Sequence, residues 1–149
     1  MSLFFRAPLL LSGLLASLCA CAQAPVTPTS ADDYPVLVSL AGKTYTLGNE
    51  EQRCTLLKPD HSALPLDMPW PCHFSIGSDG KAHVETYNNV PIVIVLHVEP
   101  IAQNSLECRS EYRAIRLNKE QLEPSVTARS ASCLRGSGDR KDYTVLFDW

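Results

Sequence analysis

Two residue pairs in this chain have the spacing of a working site: His83 with Glu85, and His97 with Glu99. Residues two apart on a strand point to the same face, so each pair sets an imidazole beside a carboxylate. Were the two strands neighbours, His83, Glu85, His97 and Glu99 would converge as a metal site or an acid–base cluster. The plainer reading is a polar row on the solvent face of a half-exposed sheet. That reading is preferred, because nothing in the sequence fixes the register. The expectation is therefore no metal, no cofactor and no enzymatic role. G-x-S-x-G, H-E-x-x-H, phosphate-loop and dinucleotide-binding patterns do not occur.

Three arginines, Arg109, Arg113 and Arg116, lie close in sequence and could face an anionic partner; the alternative is a salt-bridged surface. Trp70 stands between Pro69 and Pro71. An aromatic held by two rigid residues suits either a lid on the core or a preorganised recognition knob.

Six cysteines complete the chemical inventory. Cys54, Cys72, Cys108 and Cys133 fall in the body of the chain, and no two of them show C-x-x-C spacing. An even number in an oxidising compartment reads as two disulfides. Three connectivities are open. Cys54 to Cys72 and Cys108 to Cys133 is the expected one, since the first would close a proline-rich segment onto a hairpin and the second would tie neighbouring strands. A catalytic thiol at Cys72 beside His73 is disfavoured, because adjacent strand residues face opposite ways.

The elements that must position these residues read as short strands. Tyr34 to Leu40 and Lys43 to Leu47 flank Gly42 and pair as a hairpin or continue around a bulge. Four prolines between Leu57 and Pro71 predict a long irregular loop. Cys72–Ile76 and Lys81–Tyr87 read as a hairpin through Gly77-Ser78-Asp79-Gly80. Asn88-Asn89 signals another turn. The run from Pro91 to Val98 fits a strand buried on both faces, or one covered by the proline-rich loop. Leu106 to Leu117 reads as a strand whose apolar parity inverts after Ala114, suggesting a bulge or helical character. Asn118 to Glu123 reads as one helical turn, and Ser125–Leu134 and Tyr143–Phe147 as the last strands. The fold class is mainly β: a small disulfide-stapled antiparallel sheet, sandwich or barrel with at most a short helix.

The first residues read as an address. Arg6 precedes an uncharged run from Ala7 to Leu18 that is too short to span a bilayer about 30 Å thick and fits the core of a secretory signal. Leu18-Cys19-Ala20-Cys21 resembles the lipobox of bacterial lipoproteins, with Ala20 before the modified cysteine and Leu18 three places before it. The resemblance implies acylation at Cys21, a lipid (palmitate) anchor and, with Ala22 following, the outer membrane with the domain facing the periplasm. Ala20-Cys21-Ala22 also reads as a signal peptidase site that would release a protein starting at Gln23. The division is then a signal peptide at 1–20, the lipidated cysteine and a Pro/Thr-rich tether at 21–33, and one periplasmic β-rich domain at 34–149.

A formal charge of -3 gives no basic excess to recruit nucleic acid. A small stapled domain on a membrane tether leads to the expectation of a protein-binding module, similar in architecture and location to immunity or inhibitor lipoproteins that act against a toxin or hydrolase. The alternatives are an accessory lipoprotein of an envelope assembly or secretion complex, and a small hydrolase or metal-binding protein using the His/Glu pairs.

Overall fold

The computed structural model describes residues 34–103 and 105–149, so the leader, Cys21 and the tether lie outside the described residues. Sheet A is a four-stranded meander of β1 (Leu37–Leu40), β2 (Lys43–Glu50), β3 (Arg53–Leu57) and β4 (Ala63–Pro69), all antiparallel. Sheet B is built on a long hairpin of β7 (Val90–Pro100) and β8 (Cys108–Asn118). Two short strands, β5 (His73–Phe74) and β6 (Glu85–Tyr87), share the outer edge of β7. Likewise β9 (Gln121–Pro124) and β10 (Ala128–Ser130) share the outer edge of β8. Among the described residues the fold is mainly β, with antiparallel sheets, no closed barrel and one short helix, α1 (Arg140–Thr144). Among the described residues no helix is long and apolar enough to cross a membrane.

The alternation along β7 explains the layering. Val93 and Val95 point into a core shared with sheet A, among them Leu40, Leu47, Leu56, Leu66 and Met68. Ile92, Ile94 and Leu96 point the other way and are covered by Tyr143 of α1, with Leu146 and Phe147. The strand is buried on both faces, as its continuous apolar run predicts. Two disulfides, Cys54–Cys72 and Cys108–Cys133, join sheet A to the start of sheet B and the base of β8 to the segment after β10.

Several sequence expectations give way to specific forces. The proline-rich segment is a strand, not a loop, because Leu64, Leu66 and Met68 alternate toward the core. Pro65 and Pro69 are admitted because β4 is an edge strand, where a residue without an amide hydrogen can turn its nitrogen to solvent. The segment from Asn118 to Glu123 is a β-hairpin rather than a helical turn: Lys119 and Glu120 both have positive φ, +46° and +67°, and Leu122 packs on the core. Tyr143–Phe147 is no strand. Asp139 caps α1 in a reciprocal box with Asp142, and the helix buries Tyr143. Of Ser125–Leu134, only Ala128–Ser130 is strand.

The Gly77–Lys81 turn forms as expected, with Gly80 at φ +76° and a bridge between Ile76 and Ala82. Its arms then part, and each finishes on β7 instead of on the other. The parity inversion in β8 needs no bulge, since β7 and β8 stay in unbroken register from Ile92 against Arg116 to Pro100 against Cys108. Each face of β8 is simply covered over a different length. Ala114 lies under the helix side, while Ile115 and Leu117 lie under sheet A.

Candidate functional site

On the sheet A side, β7 and β8 run on past the core. Beyond Val95 the residues on that face are His97 and Glu99, with Glu111 and Arg109 opposite them on β8. Arg129 of β10 sits opposite Glu111, so His97, Glu111 and Arg129 form one row across three strands and Glu99 with Arg109 the next. A groove of about 530 Å³ lies over these rows, with Pro69 at the end of β4 on its rim. This charged groove is the candidate site.

His97 is 5% exposed. Its Nδ1 lies 2.7 Å from the carbonyl oxygen of Pro71 and, facing an acceptor, must donate to it. Nε2 is buried and lacks a hydrogen-bond partner. Glu99 Oε1 approaches Nε2 to 3.0 Å, but outside hydrogen-bond alignment. Arg129 Nε donates to Glu111 Oε1 at 3.0 Å, which neutralises that carboxylate. Among the described residues Arg109 forms no ion pair, because Glu99 turns to His97 instead of across the ladder. Ser110 holds the groove floor in place by donating to the Ser132 carbonyl. On the neighbouring β5, His73 stacks on Tyr34 at 4.1 Å, and burial pushes its pKa below the ordinary histidine value.

The other pair is elsewhere. Glu85 is in register with Ile92, which faces α1, whereas His97 lies five residues along β7 on the opposite face, about 17 Å away at 3.4 Å per residue. His83 and Glu85 therefore do not converge with His97 and Glu99. Glu85 instead takes Arg140 of α1 at 3.2 Å, with His83 Nε2 at 3.8 Å. Among the described residues no three His, Cys, Asp or Glu side chains gather to hold a metal.

The three arginines do not make one patch either. Arg109 is exposed in the groove. Arg113 is half-buried and ties the sheets together, donating from Nε to Ser125 O at 2.5 Å and from Nη1 to Leu66 O at 2.8 Å. Arg116 points to the helix side, where it meets Glu123 at 2.6 Å and lies over the rings of Phe147 and Trp149. That hydrogen bond holds the Glu123 carboxyl below the usual range. Trp70, half-buried, packs on the sandwich core, and its amide donates to the Gln52 carbonyl at 3.0 Å.

Sequence spacing paired His97 with Glu99 and singled out Arg109 together with the other arginines of the same chain segment. It missed Arg129, whose place depends on β10 docking at β8, a long-range event with no local signal. A smaller cavity of about 180 Å³ lies between sheet B and the Ser132–Gly138 loop, floored by Ile94, Leu96 and Tyr112. The chain matches no protein-family model, no curated protein and no solved structure.

Proposed function

We propose that this chain is an envelope lipoprotein, acylated at Cys21 and held at the outer membrane, whose periplasmic domain binds another protein through the groove on the β7–β8 overhang. The role resembles that of immunity or inhibitor lipoproteins. The observation that supports it best is the overhang itself: two strands and β10 extend a charged face beyond the core, backed by the Cys108–Cys133 bridge at the base of β8. Such a face is rigid before it meets a partner, which lowers the entropic cost of binding. A Cys21 anchor would keep the domain near other envelope proteins, since each buried methylene of an acyl chain contributes about 0.8 kcal/mol.

Two measurements test this reading. Cells fed an alkyne palmitate analogue should label the wild-type protein and not Cys21→Ser; an unlabelled wild type overturns the anchor. A photo-crosslinking residue at Ala131, on the groove, should give a discrete protein adduct in intact cells, while one at Val145, on α1's side, should not. Absence of any adduct from groove, helix side and sheet A overturns protein binding.

A further inference from the structure

We infer that a second surface, the apolar groove at the β1 edge of the sandwich, lies against the phospholipid headgroup layer of the membrane that holds the anchor. This rests on the Cys21-anchor reading and adds the orientation in which the domain is held. The sandwich has two lateral seams. At one, β4 approaches β8, and Arg113 closes the gap by donating to the Leu66 carbonyl. At the other, the start of the domain passes beside the β5–β6 edge of sheet B, where the Phe74 amide donates to the Pro35 carbonyl. Past that bond the seam opens into a groove of about 590 Å³ between residues 34–39 and the arm 80–84. Val36 and Leu37 stand exposed on one wall, Leu37 by 55%, and Ala82 and Val84, packed on the core, form the other.

Three observations select lipid as the occupant. The groove begins where the tether ends: Tyr34, on its rim, follows Cys21 by thirteen positions, which span at most about 45 Å when fully extended. An anchor at Cys21 therefore acts on the domain at this edge, and at the local concentration it imposes a modest apolar patch suffices to dock. The charge is complementary as well. Lys81 is the only charged side chain lining the groove and forms no ion pair among the described residues, while Asp79 on the same turn accepts from the Lys81 amide. Lipid phosphates thus meet a cation and no carboxylate. A partner strand, by contrast, finds little to pair with. The Leu47 amide donates to the Val36 carbonyl, which commits Val36, Val38 and Leu40 to β2 and leaves only Leu37 and Ser39 with outward backbone groups. A hydrated headgroup layer satisfies these two while the Val36 and Leu37 side chains enter its apolar boundary. The charged groove over β8 and β10, at the opposite edge of sheet B, is then turned away from the bilayer.

Fluorescence quenching from the lipid tests this. The full-length protein is purified from its membranes in detergent and reconstituted into vesicles of phosphatidylethanolamine and phosphatidylglycerol, part of the lipid bearing a nitroxide just below the headgroup. An environment-sensitive fluorophore sits on Ser39→Cys, in the groove, or on Ala131→Cys, at the opposite edge. The Ser39 probe should shift to the blue and lose most of its emission, and the Ala131 probe should do neither. Adding Leu37→Glu should bring the Ser39 signal to the Ala131 level while the protein still floats with the vesicles. Wild-type protein that does not float has no anchor, which overturns the anchor reading and this inference together. Floating protein whose Ser39 probe stays bright, or is quenched equally with Leu37→Glu, overturns the membrane contact and leaves the anchor standing. A discrete protein adduct from a photo-crosslinking residue at position 37 in intact cells assigns the groove to a partner protein and overturns the contact likewise.

Discussion

Tyr143 concentrates much of the helix's attachment in one hydroxyl. Its oxygen lies 2.8 Å from Ser75 Oγ and donates to the Ser137 carbonyl at 2.5 Å, so the serine must be the donor to it. The ring is 1% exposed, and burial pushes the phenol up to about 12 from its ordinary value of 10.0. The native state therefore keeps a proton that the unfolded chain releases. Stability is undiminished below pH 10 and falls as pH rises from 10 to 12. Tyr143→Phe should cost about 1–3 kcal/mol in urea unfolding, because it strands the Ser75 hydroxyl and the Ser137 carbonyl, and it should remove that alkaline decline. Arg113 has a comparable structural duty. One of its carbonyl acceptors, Leu66, lies in β4 of sheet A and the other, Ser125, in the link between β9 and β10, so its guanidinium is spent on structure and not on the groove with Arg109.

At the scale of elements, four two-residue hairpin turns recur: Ala41-Gly42, Glu51-Gln52, Asn88-Asn89 and Lys119-Glu120, with both residues of each at positive φ. Gly42 and the asparagines tolerate that conformation and were legible as turns; Lys119 and Glu120 are helix formers and read locally as a helix. Their turn is imposed by Leu117 and Leu122, which pair across the β8–β9 hairpin and pack on the core. Replacing Lys119-Glu120 by Asn-Gly should raise stability by about 1 kcal/mol, measured as a higher urea midpoint with unchanged slope. The cost on the other side is small, since the Lys43–Glu120 pair is 3.6 Å long and its side chains are 52% and 87% exposed. The helix was missed for the reverse reason: Tyr143-Thr144-Val145 has β-forming residues, and the Asp139 cap outweighs their preference. In the groove, parity along one strand was readable. Which strands lie side by side was not, because pairing between distant segments is decided by burial and not by neighbours in sequence.

Across the whole molecule, the two sheets are stitched at one end by Cys54–Cys72, with sulfurs from residues 0% and 3% exposed. Replacing both cysteines with alanine should lower stability by about 3 kcal/mol, with faster amide exchange in β3 and β4 than in the β7–β8 hairpin. Sheet A, made wholly of consecutive hairpins, would otherwise be held to sheet B by side chains and the Trp70–Cys72 segment. A sheet of that kind has two open edges, each a template on which a strand of a second molecule could pair. The prolines of β4 bear on this. At Pro65 and Pro69 the outward edge offers no amide hydrogen, so a strand from a second molecule finds gaps where it would need donors. At the other edge β1 has only four residues to offer. What looked like an obstacle to forming a strand thus works as a guard against edge-to-edge growth of sheet A into a filament.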